Sequence, residues 1–202
     1  MKYNLKEMQY DDQLILTTKL EILIPRFNEA EKLVTMILGT AQGREAALST
    51  DELVELNLRL AGSSLRGARD SAELILGSRS KAPVMISRKH GMYLIPIKWP
   101  GFPVRGWVNK LQVWHYLPKQ ADITTVVMKS GNVYDVPCSR NVFANSMGKG
   151  RNLRSGLDRR DEQIIREAMR TDQAFYVQKD EGLNYEVTDK VFYVAERQKK
   201  QY

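Results

Sequence analysis

The stretch PVMISRKHGMYLIPI, residues 83–97, decides how the middle of this chain is read. Two runs of mostly apolar residues flank a four-residue loop that ends in glycine. Such runs around a short glycine-containing loop are typical of a β-hairpin. A second hairpin is predicted by ITTVVMKSGNVYDVP, residues 123–137, with its turn at Ser130-Gly131 and its end at Pro137. The middle of the chain is therefore predicted to form an antiparallel sheet.

The segment between the two hairpins, VRGWVNKLQVWHY over residues 104–116, predicts one further strand because its side chains alternate. The alternation gives the strand two faces: Trp107, Leu111 and Val113 on one, and Lys110, Gln112 and Trp114 on the other. Tryptophans within strands usually belong to the core, so we expect Trp107 and Trp114 to be buried, although exposed indoles could stack on bases.

The chain before the first hairpin combines strand and helix signals. LILTTKLEILIP, residues 14–25, predicts a strand or strand pair that ends at its proline. NEAEKLVTMILGT, residues 28–40, predicts a helix, and residues 41–49 read as a connector. Ser49 and Glu52 then form a capping-box pattern, which predicts a helix that begins at about residue 50.

A second helix is predicted to begin after Ser63 or Ser64 and to end at Gly77. Its apolar residues share one face: Leu65, Ala68, Ala72 and Ile75. The helix start carries hydroxyls and no acidic side chain, so its N–H groups and dipole could hold a phosphate.

On local grounds, an ordinary capped helix explains the same stretch slightly better. Arg66 with Asp70, and Arg69 with Glu73, have the i, i+4 spacing of surface ion pairs. Both interpretations therefore stay open at this point.

The end of the chain is predicted to contain a basic loop, a helix and two short strands. SRNVFANSMGKGRNLRSG, residues 139–156, shows no clear periodicity and reads as a mobile basic loop. Asp158 is expected to cap a last amphipathic helix with four residues inward: Ile164, Ile165, Ala168 and Met169. The fold class is therefore predicted to be α+β, with a mostly antiparallel β core flanked by N-terminal and C-terminal helices.

The positive charge of the chain is concentrated in its middle. Of 202 residues with a net charge of +7, residues 61–154 hold 15 Lys and Arg but only 4 Asp and Glu, a net of +11. Residues 1–60 carry −3 and residues 155–202 carry −1. We predict a single domain over 1–202, with a basic core at about 61–154 and less basic extensions on both sides. A concentrated positive field attracts polyanions, which favours a nucleic acid as partner.

Most catalytic and metal chemistry lacks support in the sequence. A single cysteine, Cys138, allows neither an internal disulfide nor a cysteine-rich zinc site, and the acids of the basic core are not clustered. His90 and His115 lie in no catalytic motif. The sequence around Lys149 lacks the spacing of a phosphate-binding loop. We therefore expect no enzyme, no cofactor and no metal.

Membrane segments are also not indicated. No apolar run approaches the roughly 20 residues of a membrane helix, and the first residues lack the apolar region of a signal peptide. We expect a soluble cytoplasmic protein.

An ordered set of short segments over about residues 60–155 resembles the ComK family of bacterial competence transcription factors. The segments are GSSLRGAR, KAPVMI, LIPI, RGWV, LQVW, SGNVYDVP and NVFANSMGKGRNLR. None of them is specific alone, and their shared order and spacing carries the resemblance. It coincides with the basic core.

The resemblance implies a sequence-selective transcriptional activator of competence-type genes. It further implies binding to AT-rich promoter boxes through the minor groove of double-stranded DNA, action as a homodimer or dimer of dimers, and control by an adaptor that delivers the protein to a Clp protease. The protein would then be cytoplasmic and associated with the nucleoid.

We predict that the basic loop enters the groove and that the Ser63-Ser64 helix start contacts a phosphate. The predicted DNA-binding residues are Ser63, Ser64, Arg66, Arg69, Arg79, Lys81, Arg140, Asn141, Asn145, Lys149, Arg151 and Arg154. Three other interpretations stay open: an RNA-binding or ribosome-associated basic protein, an adaptor that meets an acidic protein, and an enzyme.

Overall fold

The computed structural model describes residues 14–40, 43–172, 185–188 and 191–194. The chain divides into two compact units, Met1–Arg154 and Ser155–Tyr202. All residues predicted to bind DNA lie in the first, which we call the N-terminal unit. The antiparallel sheets and helices confirm the predicted α+β class. The single domain over 1–202 stays a prediction.

A six-stranded antiparallel sheet forms the centre of the N-terminal unit. Its strands are β1 (Leu20–Phe27), β2 (Leu33–Gly39), β3 (Arg44–Ala46), β4 (Val84–Ser87), β5 (Met92–Lys98) and β6 (Arg105–Asn109). Their order is β3-β2-β1-β6-β5-β4. The hairpin predicted over 83–97 is confirmed as β4 and β5. Strands β1 and β6 join the two halves of the sheet.

The helix predicted over residues 28–40 is wrong, because this stretch is a tight turn followed by β2. The side-chain oxygen of Asn28 accepts hydrogen bonds from the N–H groups of Ala30 at 3.0 Å and Lys32 at 2.9 Å. Glu31 has a φ of 54°, outside the right-handed helical region. An asparagine that bonds the backbone in this way offers the chain an alternative to helix, and β2 then pairs along β1.

The prediction that Pro25 ends the first strand is also wrong, since β1 continues to Phe27. Strand β6 pairs with β1 only at Ile22 and Leu23. The later part of β1 is therefore an edge on that side, where a proline removes no bond to β6. Residues 44–46, predicted as part of a connector, add β3 to the sheet.

Two helices begin where the capping patterns predict. Helix α1 (Thr50–Leu60) has a complete capping box: the Ser49 N–H donates to the Glu52 carboxylate at 2.9 Å, and the Glu52 N–H donates to the Ser49 hydroxyl at 3.3 Å. Helix α2 (Leu65–Leu76) is capped by Ser64 and ends at Gly77, whose φ of 66° lies in the left-handed region. Local side-chain chemistry therefore defines both helices.

The predicted single strand over 104–116 is wrong, because a 3-10 turn at Lys110–Gln112 divides it. Asn109 accepts a hydrogen bond from the Leu111 N–H at 3.1 Å and so stabilises the turn. A three-stranded antiparallel sheet follows, with the order of β7 (Val113–Gln120), β8 (Ile123–Met128) and β9 (Val133–Val136). The second hairpin is thereby confirmed as β8 and β9. The prediction that both tryptophans are buried is confirmed for Trp107 and wrong for Trp114, which is exposed.

Residues 139–156 do not form the predicted loop. Helix α3 (Arg140–Asp172) runs through them and continues past Asp158, so the separate helix capped by Asp158 is also wrong. Ile164 and Ile165, predicted to face inward, are each 52% exposed, and Ala168 is exposed as well. The side chain of Met169 lies outside the described residues. The two short strands predicted in the tail are confirmed as β10 (Tyr185–Thr188) and β11 (Val191–Val194).

Both faces of the six-stranded sheet are covered. Helices α1 and α2 pack on one face, where Leu23, Leu53 and Trp107 belong to one buried cluster. The three-stranded sheet and the first turns of α3 cover the other face, where Ile22, Val126 and Phe143 belong to a second cluster. The N-terminal unit thus has three layers, and the start of α3 lies in the third.

A buried carboxylate ties the three-stranded sheet to β1. Glu21 has no exposed surface, and three donors bond its carboxylate. They are the Ser130 hydroxyl, the Asn132 side-chain amide at 2.9 Å and the Tyr134 hydroxyl at 2.8 Å. Burial, followed by the hydrogen bond to Glu21, raises the pKa of Tyr134 well above its usual range. The β8–β9 hairpin is therefore fixed by polar bonds as well as by apolar packing.

Replacing Glu21 with alanine should lower the free energy of unfolding by about 3 kcal/mol, because donors that become buried without an acceptor each cost roughly 1–3 kcal/mol. Urea unfolding followed by circular dichroism measures the change. Glu29→Ala, at an exposed position in the β1–β2 turn, is the matched control and should leave the midpoint unchanged. Equal midpoints for the two variants would contradict the role of Glu21.

Candidate nucleic-acid interface

The first turns of α3 are formed by a cap and by apolar packing. The Val142 N–H donates to the Ser139 hydroxyl at 3.4 Å, and the Phe143 N–H donates to the Ser139 carbonyl at 3.0 Å. Phe143 and Met147, one turn apart, are buried against the sheet layers. A serine cap and an i, i+4 apolar pair are helix signals that the glycines of this stretch obscure.

Helix α3 brings together six of the residues predicted to bind DNA. They extend over about 21 Å of helix, at 1.5 Å per residue. No acidic residue occurs from position 140 to 157. The six are Arg140, Asn141, Asn145, Lys149, Arg151 and Arg154, of which all but the half-buried Lys149 are exposed. This surface is therefore cationic along its whole length.

The outward face of α3 is lined by amides, which we call the amide stripe: Asn141, Asn145 and Asn152. Their spacing of four and seven residues places them on one side of the helix, with Gly148 between them. Asn152 was not among the predicted site residues, because a helical spacing has no meaning in a predicted loop. Cationic side chains lie on both sides of the stripe, since Arg151 and Lys149 flank it in angular position.

Two lysines from other elements join α3 to form what we call the cation cluster: Lys110, Lys129, Arg151 and Arg154. Burial lowers the pKa of Lys110, and the nearby charges of Arg151, then Arg154 and Lys129, lower it further. Like charges that repel one another this closely are typical of a site for an anion.

Close backbone packing places Lys110 beside α3. A Cβ atom at Gly150 would lie 2.8 Å from Cδ of Lys110 and 3.9 Å from Cδ1 of Ile95. The glycine therefore leaves room for the stem of Lys110 to pass across the helix. Sequence reasoning missed Lys110 and Lys129 because both are distant from α3 along the chain.

The β4–β5 turn also meets this part of α3. A Cβ atom at Gly91 would lie 3.6 Å from a terminal nitrogen of Arg154. Gly91 has a φ of 62°, as a tight turn requires. The guanidinium of Arg154 thus packs on the turn that carries Arg88 and Lys89, which extends the basic surface.

The α2–β4 loop borders α3 on another side. The Lys149 ammonium donates to the Ser80 carbonyl at 2.6 Å. Lys81, with a φ of 50°, lies close enough for its charge to act on the Cys138 thiol, although burial is the larger effect and raises the pKa of Cys138 to about 11. A raised pKa disfavours the thiolate of Cys138, which is the form that acts as a nucleophile.

Acids lie beside the arginines of α2 and beside Arg79 in the loop that follows it. Asp70 lies 2.8 Å from Arg79 and 3.9 Å from Arg66, as the i, i+4 spacing predicted for Arg66. The predicted pair of Arg69 with Glu73 is wrong, since Arg69 lies 4.0 Å from Asp51 of α1 instead. Tertiary packing of α1 beside α2 thus overrides the local spacing.

A carboxylate already lies at the start of α2. Ser64 accepts the Gly67 N–H at 3.0 Å, as predicted for the cap, and the Glu55 carboxylate accepts the Leu65 N–H at 2.5 Å. Burial raises the pKa of Glu55, but this bond and Arg59 outweigh it and lower the pKa overall. The phosphate contact of Ser63 and Ser64 stays a prediction, and such a phosphate would compete with Glu55.

The described residues contain neither a metal cluster nor a membrane-spanning helix. Among the residues that the structure describes, no three His, Cys, Asp or Glu side chains lie together as a metal site would require. Within the same part of the chain, no helix is long and apolar enough to span a bilayer.

The sequence of the chain was compared with known proteins and protein families. The chain is 25% identical over 114 residues to the competence transcription factor of Bacillus subtilis (strain 168), an alignment that covers 56% of this chain and 59% of that protein. No solved structure matches the chain. The sequence profile of the ComK protein family matches residues 11–162, which is most of the chain and includes the whole cationic surface of α3. The chain belongs to the ComK family.

Proposed function

We propose that this protein is a sequence-selective, DNA-binding transcriptional activator of competence-type genes and not an enzyme. The observation that carries the proposal is the cationic surface of α3, which has no acid from position 140 to 157 and which the cation cluster extends. Lys and Arg on a continuous surface neutralise phosphates and release their counterions. Family membership supports regulation of transcription as the purpose of that binding.

The preferred targets are AT-rich promoter boxes, bound through the minor groove. A narrow A/T minor groove has an enhanced negative potential that favours inserted arginines. Because an α-helix is about 10–12 Å wide with its side chains and the minor groove is about 6 Å wide, the backbone of α3 stays outside the groove. Side chains of Arg151 and Arg154 then enter it, in place of the loop expected from the sequence.

The amide stripe favours a second mode of binding. An α-helix fits the major groove, which is about 12 Å wide, and an asparagine can make two hydrogen bonds to N6 and N7 of adenine there. Asn141, Asn145 and Asn152 are exposed on one face and flanked by cations, as that mode would require. Both modes give a preference for A/T pairs, so the groove needs its own test.

The family resemblance extends the proposal to assembly, location and control. We include action as a homodimer or dimer of dimers, a cytoplasmic and nucleoid-associated location, and delivery to a Clp protease by an adaptor. The RNA-binding alternative uses the same basic surface.

Fluorescence anisotropy with three duplexes tests both the function and the groove. The first duplex carries spaced A/T tracts, the second is G/C-rich, and the third replaces the A/T pairs with inosine–cytosine pairs, which resemble A/T in the minor groove and G/C in the major groove. We expect tight binding to the first and third, and weaker binding to the second. Binding to the first duplex alone would contradict the minor groove and support reading by the amide stripe. Preference for single-stranded or A-form RNA over every duplex would contradict the proposed function.

Removing charges from the cation cluster should reduce the salt dependence of DNA binding. The slope of log K against log salt is negative. Lys110→Ala and Arg151→Ala should each make it less steep by about 0.9 for each phosphate that the variant no longer neutralises. Lys98→Ala is the matched control, because Lys98 is exposed at the opposite end of β5 from Gly91. An identical slope for all three variants would show that the cluster does not contact phosphates.

Replacing Ser63 and Ser64 with alanine should weaken binding to all three duplexes by the same factor, because a phosphate contact carries no sequence information. Loss of the cap also destabilises α2 by about 1 kcal/mol, so the anisotropy is measured well below the unfolding temperature. The single variant Ser63→Ala keeps the Ser64 cap and serves as the control for stability. Unchanged affinity in the folded double variant would remove the phosphate role.

A further inference from the structure

The side chain of one tryptophan of the N-terminal unit is largely exposed to solvent. Trp114 is 74% exposed, whereas Trp107 is fully buried and its indole N–H donates to Asp51 at 2.9 Å. Indoles gain more from burial than almost any other side chain, and exposed tryptophans are enriched where proteins bind their partners. The exposure of Trp114 therefore indicates a partner.

The backbone at Trp114 turns its side chain out of the sheet. Strand β7 is an edge strand, and its pairing with β8 is irregular between Val113 and His115, so Trp114 lies at the irregularity. Val113 before it is buried in the core cluster beneath the sheet. Bulges of this kind redirect one side chain and are common beside functional sites.

The cation cluster lies next to this bulge along the chain. Lys110 opens the 3-10 turn that leads into β7. The Lys129 N–H donates to the carbonyl of Gln112, two residues before Trp114, at 2.8 Å. The exposed indole thus belongs to the same end of the three-stranded sheet as two lysines of the cluster.

We propose that Trp114 is a DNA contact that stacks on a base at an opened step of the duplex held by the cation cluster. This inference rests on the proposed function and adds an aromatic element to it. Every base presents a π face to an indole, and pyrimidine–purine steps such as TA unstack easily. Apolar side chains are inserted at such steps by many proteins that bind the minor groove.

The adjacent charges favour DNA over a second copy of the chain as the partner. Leu117 and Val133 are also exposed on the three-stranded sheet, and Val133 lies at the same end as Trp114 because it pairs with Val127, the partner of His115. Lys110 and Lys129 lie at this end too, in the turn before β7 and beside Gln112. Two copies that met at this end would bring their lysines together, whereas phosphates beside an opened base step complement them.

The test compares Trp114→Ala and Trp114→Phe with the wild type on an A/T duplex that contains a TA step. Stacking on a base is worth about 1–3 kcal/mol, so the alanine variant should bind roughly 5- to 150-fold more weakly, and phenylalanine should restore most of the affinity. The slope of log K against log salt should not change, because an indole releases no counterions. Leu117→Ala, an exposed apolar residue on the same strand, should bind like the wild type.

Intrinsic fluorescence gives an independent measurement. Stacking on a base should quench the tryptophan emission of the wild type when duplex is added, and the quenching should be absent in Trp114→Phe, which keeps the other two tryptophans. Wild-type binding with unquenched emission and full affinity in Trp114→Ala would overturn this inference alone. A wild type that binds no duplex would overturn the proposed function as well. Sedimentation without DNA tests the alternative partner. If Trp114→Ala loses a self-association that the wild type shows, the indole contacts a second copy of the chain and the inference is overturned.

Discussion

The pairing of β1 with β6 at Ile22 and Leu23 is the constraint on which the rest of the N-terminal unit depends. It joins the two halves of the six-stranded sheet, and the two residues face opposite sides. Leu23 belongs to the core beneath α1 and α2, and Ile22 belongs to the core beneath α3. A strand that is buried on both faces therefore fixes the position of every layer, including the one that carries the cationic surface.

The cation cluster exists because that packing holds like charges together. Phe143 and Met147 anchor α3 on the core, and Gly150 lets the stem of Lys110 lie across the helix. Burial and, after it, repulsion from the neighbouring cations lower the pKa of Lys110. Both effects oppose folding with Lys110 charged, and the apolar contacts of α3 offset them. A bound polyanion would relieve the same repulsion, so the free energy stored in the cluster contributes to binding.

The local signals in the sequence predicted part of this fold well. The structure confirms the cap of α1 at Ser49, the cap of α2 at Ser64 and both hairpins. Each of these features is determined by residues that are close together in the sequence. Helix α3 was missed because glycines at 148, 150 and 156 suggested a loop. Gly150, however, lies on the buried face of the helix, against Lys110 and Ile95. The Asn28 turn was missed because the acids and the lysine that follow it resemble a helix start.

The distribution of charge along the sequence located the basic core. Only the structure shows which acids lie beside its arginines. In α2, Arg69 lies beside Asp51 and Arg66 beside Asp70, and the Glu55 carboxylate lies at the start of that helix. From position 140 to 157 the sequence offers no acid at all, and lysines from two other elements join the surface there. Because an acid beside a cation offsets its field, a polyanion gains most where acids are sparsest, and α3 rather than α2 is the centre of the proposed interface. The stretch that begins at Gly62 then serves as its border.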